Sequence, residues 1–505
     1  VNLMSKITDN FYKISFNVFI ETILIAMFIA ISAFNLNMGT DEGTWSYIAR
    51  VWKDFGIPPY IGALDNKPPG IFLIFFFAEY FADNVIVVRT VAGVSLVFAS
   101  ILIYLSTKIL AGKRTAIFAM SLFGIAMSWR LLDSHIPAET ESFMITFTSL
   151  ALYFILLNSV SRRIPFKMFY LLCAGIAMGF ATSFKQTALF SLAGITIFYI
   201  SLKPRKWVFC GLILLLAGFA VATAVVITPI YLYKVSLADY WKNVWLILLE
   251  SGKTSLNLSP FQRLFGFFQV WQGSRLVMFC PFIFLFFYQR KRISESCIPF
   301  GGLIIWFLFD FAGTNISGYY YGHQLKQIMP SLAIISAIGI DFLLKKLFAD
   351  DTVARKPAFC LLLFIYITAI PYAAIVKTSL NRIFYKIPNE PKSFGKWIEK
   401  NTSPGNYIYV FGRGTNSGEP NNQIMYYSNR LAPSRYFNPF FIDMPGATAE
   451  IKSDFAAKPP ELIVIPNGMD VPEWLNSILQ ENYFWKNDYK LKHLNLIYDI
   501  YKRNI

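Results

Sequence analysis

Between residues 38 and 70 the chain reads MGTDEGTWSYIARVWKDFGIPPYIGALDNKPPG. Two adjacent acids, Asp41 and Glu42, are followed by Trp45 and Tyr47, and the stretch closes on Lys67-Pro68-Pro69. A carboxylate within hydrogen-bond reach of a hydroxyl can take its proton as that oxygen attacks. A fixed ammonium can neutralise the charge that builds on a phosphate leaving group. Two prolines remove backbone donors and fix φ, which would hold the preceding lysine in one place. Neighbouring acids on a helix point in different directions, so Asp41 and Glu42 are expected to divide roles. The plainer reading is an acidic helix end and a proline turn.

Other residues fit the same chemistry. Glu141 closes the run His135-Ile136-Pro137-Ala138-Glu139-Thr140-Glu141 at the mouth of an apolar stretch, where an acid also favours a helix N-terminus. Lys185-Gln186 lies between closely spaced apolar runs, where a lysine can simply snorkel. Arg89 opens another run. His323, in Tyr319-Tyr320-Tyr321-Gly322-His323-Gln324 ahead of Pro330, is one of only 3 histidines. Tyr320 and Tyr321, with Trp45 and Tyr47, are candidate acceptor-facing aromatics. Tyr240, Trp241 and Trp245 mark residues 232–262 as an interfacial segment or a substrate lid; an aromatic belt explains them equally well.

A membrane must position these residues. Of 505 residues, 55% are hydrophobic and 15% charged, and several apolar runs approach the ~20 residues a spanning helix needs. The net charge of +16 comes from short clusters between apolar runs, the pattern of cytoplasmic loops rather than of a nucleic-acid partner. The 5 cysteines show no disulfide or metal spacing. No glycine-rich phosphate loop or nucleotide fold stands out. No metal site or other cofactor is therefore expected, with a divalent ion left open.

Charge sets the topology. With Lys6 and Lys13 inside, the first span (16–36, read as a retained signal anchor) runs outward. If 71–81 also crossed, every later basic cluster would fall outside. If it lies in the outer interface, the clusters at 108–114, 162–167, 203–206, 290–292 and 345–356 all fall inside. The spans are then expected near 16–36, 87–107, 115–130, 143–160, 168–183, 187–202, 207–231, 264–288, 296–312, 328–346 and 357–377, about eleven in all. The expected division is a membrane domain at 1–379, with outer-face loops at 37–86, 131–142, 232–263 and 313–327, and an outer domain at 380–505. That last region turns polar and Pro/Asn/Gly-rich. Strand patterns at 407–411, 462–466 and 496–501 alternate with helical ones at 391–400, 421–429 and 471–480, predicting a soluble α/β domain.

Together, DEG…Y.A after the first span, KPPG, an acid opening a later span, FKQTAL and GYYYGH…P resemble the GT-C class of membrane glycosyltransferases. The nearest group is the bacterial branch related to protein O-mannosyltransferases and to the lipid A aminoarabinose transferase. The resemblance implies an α-helical polytopic GT-C fold in the bacterial inner membrane, N-terminus cytoplasmic and C-terminal domain periplasmic. It implies transfer, with inversion, of a sugar from a polyprenyl-phosphate donor on the periplasmic side. The acceptor is expected to be an envelope glycan or lipid, such as O-antigen or lipid A. Asp41 matches the catalytic base, Lys67 the donor-phosphate lysine, Glu141 the second acid, Lys185 the lysine of a later outer loop, and His323 the histidine seven residues before a proline. Arg89 is a further candidate cation for the phosphate. Members often carry arginine where this chain has Tyr319, and tyrosine where it has Gln324. The alternatives are a protein O-glycosyltransferase of the same fold, a lipid-linked glycan flippase, or an envelope scaffold. Charges at outer mouths rather than at the bilayer midplane weigh against the transporter.

Overall fold

The computed structural model describes residues 16–34, 37–81, 84–128, 138–202, 205–249, 259–273, 283, 300–316, 321–347, 388–412 and 420–504. Among these, five helices are long and apolar enough to cross a membrane: Val85–Ala111, Thr140–Val160, Ile164–Phe184, Val208–Leu232 and Gly322–Lys345. Helices also occupy Phe16–Phe34, Lys113–Ser128, Ala188–Ser201, Pro260–Gly273 and Phe300–Asn315, where spans are predicted. The predicted span at 357–377 and most of the second half of 264–288 lie outside the described residues, as do His135 and the clusters at 290–292 and 355–356. The apolar stretch after Lys67 forms a helix of 10 residues, Pro69–Ala78, with proline in its first turn. Its rise of about 15 Å is half of a ~30 Å hydrocarbon core, so it cannot cross alone.

The chain divides into two compact units. One comprises Val1–Asn35, Arg89–Val225 and Gly252–Phe384; the other comprises Leu36–Val88, Val226–Ser251 and Tyr385–Ile505. This division crosses a boundary at 379/380. The segment after the first helix and part of the 232–263 segment pack with the C-terminal region.

In the first unit, backbone closeness is set by glycine. Ile164–Phe184 carries Gly175-xxx-Gly179, and a Cβ at Gly175 would run into the Leu215 carbonyl of Arg205–Leu232, which answers with Gly218 against Leu172. Small residues let membrane helices approach until their backbones touch. Phe143 and Phe147 of Thr140–Val160 stack on Phe184 at ring distances of 5.0 and 5.8 Å. Between Lys113–Ser128 and Met329–Leu347, Arg114 Nε pairs with Asp341 at 2.6 Å.

The second unit contains a sheet ordered β1-β2-β4-β3. β1 (Ile408–Val410) is parallel to β2 (Leu462–Pro466), and β4 (Leu496–Arg503) runs antiparallel to both β2 and β3 (Tyr483–Leu491). Glu390–Asn401, Asn421–Ser428 and Glu473–Asn482 are helical where helices are predicted. β3 and the helix Ala447–Ala457 are additions. The buried core joins Tyr409, Ile463, Ile465, Ile451, Phe455 and Leu475 of this region to Leu64 and Ile247. Leu64 lies in the 37–86 segment and Ile247 in the 232–263 segment, so all three pieces share one hydrophobic cluster.

Candidate functional site

In the second unit, Asp41 lies half-buried in the first turn of the helix Thr40–Phe55. Gly39 precedes it, and the Gly39 N–H donates to Glu42 Oε2 at 3.0 Å. Glu42 is 0% exposed; its carboxylate closes the helix start, the reciprocal half of a capping box. Gly56 ends the helix in the left-handed region, at φ 67°. Asp41 thus projects from the fixed start of a capped helix.

Trp45 and Tyr47, read from sequence as acceptor-facing, are instead 1% and 2% exposed. Trp45 Nε1 donates to Asp65 Oδ2 at 2.8 Å, and its ring meets Phe75 edge-on. The Tyr47 hydroxyl accepts from the Ala432 N–H at 2.7 Å, with Phe437 against its ring. Burial pushes the Tyr47 phenol well above its usual range. Both side chains hold the Asp41 helix in place.

Asp65 also anchors the lysine. Lys67 Nζ donates to Asn66 Oδ1 at 3.1 Å and lies 3.9 Å from Asp65 Oδ1, while its side chain stays 26% exposed. The Tyr60 hydroxyl donates to the Lys67 carbonyl at 2.7 Å. Burial, with Tyr240 and then Asp65 nearby, raises the Tyr60 phenol well above its ordinary value, so it remains a donor. The ammonium is braced by its neighbours and still reached by solvent.

The C-terminal region buttresses the same helix. Asn422 Nδ2 donates to Thr44 Oγ1 at 2.7 Å. The Arg50 guanidinium lies 3.7 Å over the Tyr426 ring and donates to the Tyr426 carbonyl, and the Tyr426 hydroxyl donates to Glu79 Oε1 at 3.1 Å. Gly43 makes the approach possible: a Cβ there would lie 2.9 Å from Gln423 N and 3.1 Å from its Cα. These are backbone atoms that cannot swing away. Gly43→Ala is therefore expected to displace the Asp41 helix, costing about 1–3 kcal/mol of stability and on the order of 10- to 100-fold in turnover. Thermal unfolding and initial rates check both; unchanged rates would show that this packing does not set Asp41.

In the first unit, Glu141 is 1% exposed in the first turn of Thr140–Val160. Lys185, in extended backbone just after Ile164–Phe184, donates its ammonium to Glu141 Oε1. His323 Nε2 lies 3.7 Å from the same oxygen, and Thr140 Oγ1 donates to Oε2 at 2.9 Å. Tyr321 stacks on the His323 ring at 5.7 Å. Glu139, also buried, brings a carboxylate oxygen within 4.8 Å of a His323 ring nitrogen. Lys326 Nζ donates to Ser142 Oγ at 3.2 Å. The structure thus gathers Glu141, Lys185, His323 and Tyr321, and places Arg89 buried near the start of Asn84–Ala111. Tyr319 and Tyr320 lie outside the described residues.

In the same unit, Asp310 of Phe300–Asn315 is 1% exposed. Ser191 Oγ donates to its Oδ1, and Ser331 Oγ to its Oδ2 at 3.4 Å. Gln327 Nε2 donates to the Thr187 carbonyl at 3.0 Å and to Ser191 Oγ at 3.3 Å. The network ties the 3₁₀ turn Gly322–Ile328, which carries His323, to the segment that follows Lys185. Asp310→Asn preserves an acceptor and is expected to be nearly neutral. Asp310→Leu strands buried hydroxyls at about 1–3 kcal/mol each, which thermal unfolding in detergent would show.

Sequence reasoning did not single out Asp65, Asp310, Glu139 (named only within the run that Glu141 closes) or Lys326. Each had a signal: an acid two residues before Lys67, a lone carboxylate in an apolar run, a second acid two residues before Glu141, and a lysine one 3₁₀ turn after His323.

Residues 66–232 match the family model described as dolichyl-phosphate-mannose-protein mannosyltransferase. No curated protein matches the sequence. Among solved structures, ArnT from Cupriavidus metallidurans in the apo state superposes with a TM-score of 0.62, covering 95% of this chain and 97% of that one at 13% identity. The same protein bound to undecaprenyl phosphate gives 0.59 at 12% identity, with coverage of 95% and 97%. The archaeal oligosaccharyltransferase AglB from Archaeoglobus fulgidus, in complex with an inhibitory peptide and a dolichol-phosphate, gives 0.58 at 13% identity, covering 95% and 73%. The chain is therefore similar over residues 66–232 to the mannosyltransferase family, and as a whole it has the fold of the GT-C membrane glycosyltransferases.

Proposed function

We propose that this chain is an inverting glycosyltransferase of the bacterial inner membrane. It moves a sugar from a polyprenyl-phosphate donor to an envelope glycan or lipid on the periplasmic side. The observation that carries the reading is the group around Glu141. A buried carboxylate holding an ammonium and an imidazole side by side, both still partly exposed, suits the phosphate of a lipid-linked donor. In this reading Asp41 takes the proton of the acceptor hydroxyl as its oxygen forms a bond to the anomeric carbon. The bond from that carbon to the phosphate oxygen breaks, and polyprenyl phosphate leaves with its charge neutralised by Lys67, Lys185 and His323. Attack from the face opposite the phosphate inverts the anomeric centre. ArnT was solved with undecaprenyl phosphate and AglB with a dolichol-phosphate, and a donor of that class is proposed here.

The outer-face assignment rests on the basic clusters and is supported by the brevity of Pro69–Ala78, which lets those clusters fall inside. The C-terminal α/β region is then periplasmic. The match to a protein mannosyltransferase model favours a second acceptor class, a protein hydroxyl.

Mass spectrometry of envelope glycans, lipids and proteins from wild-type and deletion cells tests the proposal. A product heavier by one sugar residue in the wild type alone is expected, and the molecule that carries it names the acceptor. Unchanged products with lipid-linked sugar accumulating inside would overturn it in favour of a flippase.

A further inference from the structure

We propose that Arg435 is a positioning residue for Lys67, fixing through Tyr60 where that lysine is held. The inference rests on the reading of Lys67 as a donor-phosphate residue. It gives the C-terminal region a part in that site which neither the motifs nor the family resemblance supplied. All the residues concerned belong to the second unit. Between Pro58 and Ala63 the chain makes a tight turn. The Gly62 N–H donates to the Pro58 carbonyl at 3.1 Å, and the Tyr60 N–H to the Ala63 carbonyl at 3.0 Å. Tyr60 lies at φ 71°, in the left-handed region that a residue with a side chain keeps only where its surroundings over-determine it. A Cβ at Gly62 would lie 2.8 Å from Val51 Cγ1, so the turn is seated against the helix that carries Asp41.

Arg435 grips this turn at both ends. Its carbonyl accepts from the Leu64 N–H at 2.9 Å, and its Nη1 donates to the Tyr60 carbonyl at 3.2 Å. The guanidinium is itself held by Glu450 of Ala447–Ala457: Nε lies 2.7 Å from Oε1, and Nη2 donates to Oε2 at 2.9 Å. The fork is planar, so seating two of its nitrogens on a carboxylate also fixes the direction of the third. Tyr60 carries the constraint onward. Its side chain is 0% exposed, its ring meets Phe72 of Pro69–Ala78 edge-on at 5.7 Å, and its hydroxyl donates to the Lys67 carbonyl at 2.7 Å. Only two torsions separate a tyrosine backbone from its hydroxyl. Holding the Tyr60 backbone therefore sets where that hydroxyl meets the Lys67 main chain. The path runs from Glu450 through Arg435 and Tyr60 to Lys67, with a polar contact at every step.

The test measures farnesyl phosphate binding to the purified full chain as wild type, Arg435→Gln, Lys67→Gln and the double variant. The control is Arg430→Gln, whose buried guanidinium holds the Glu399 and Thr402 carbonyls in the same region. Arg435→Gln is expected to weaken binding about 3- to 30-fold, with Arg430→Gln close to wild type. In the double variant the Arg435 substitution should add nothing to the loss caused by Lys67→Gln, because its effect passes through Lys67. A role confined to folding, or the arginine's charge acting at a distance, would instead weaken binding equally with Lys67 present or absent. That result, or wild-type affinity in Arg435→Gln, overturns the inference. If Arg435→Gln does not fold, Tyr60→Phe, which removes only the hydroxyl, takes its place and the same outcomes decide. Failure of the donor-site reading shows separately: wild type then does not bind farnesyl phosphate, or Lys67→Gln binds it like wild type, and the inference falls with it.

Discussion

Asp41→Asn is expected to abolish sugar transfer, by about 100- to 10,000-fold, the range that general-base catalysis supplies. The protein should remain folded. Asp41 is half-buried, and the helix start is closed by Glu42 rather than by Asp41. Gly43 and Thr44 keep the helix seated on Gln423 and Asn422. An amide has nearly the same shape but no basicity, so thermal unfolding and membrane yield should match wild type while turnover collapses. Retained turnover would remove Asp41 from the base role. Glu42→Ala provides the contrast: it removes the acceptor of the Gly39 N–H, so about 0.5–2 kcal/mol of stability is at risk rather than the chemistry.

The second large effect is expected at Glu141. Sequence reading places it among the catalytic acids, but the geometry gives it a positioning task. One oxygen receives the Lys185 ammonium with His323 beside it, and the other accepts from Thr140. Little of the carboxylate is left to take a proton from an acceptor. Glu141→Gln leaves the half-buried Lys185 uncompensated, and the loss of about 3–5 kcal/mol when a fully buried ion pair loses one partner is the upper bound here. Lower thermal stability and weaker donor binding should appear together. A double-mutant cycle separates this from direct catalysis. Adding Lys185→Gln to Glu141→Gln should recover much of the stability, since no charge is then stranded, but none of the transfer. If Glu141→Gln instead stays fully stable and loses only turnover, Glu141 acts in the chemistry.

What the sequence made legible was whatever a local pattern encodes. The apolar run after Lys67 marked the short Pro69–Ala78 helix, and the expectation that it does not cross rests on the basic clusters. Short strand-like runs found β1, β2 and β4. They missed β3, an edge strand whose Lys486, Asn487 and Asp488 break up its apolar residues and which carries a register shift at Trp485/Asn487. Trp45 and Tyr47 looked like acceptor aromatics because sequence does not reveal that Asp65 and the backbone of Ala432 are their partners. The sharing of one core by Leu64, Ile247 and the C-terminal region was likewise hidden, since Leu64 and Tyr409 stand more than three hundred positions apart.

The most direct measurement uses lipid extracted from deletion cells, which should hold both the unspent donor and the unmodified acceptor. Purified wild-type protein or Asp41→Asn is added, and the lipids are followed by mass spectrometry. Wild type should convert a polyprenyl-phosphate sugar to free polyprenyl phosphate while an envelope molecule gains the mass of one sugar residue, and Asp41→Asn should leave both unchanged. No donor consumed by wild type, or equal consumption by Asp41→Asn, would contradict a transferase that uses Asp41 as its base.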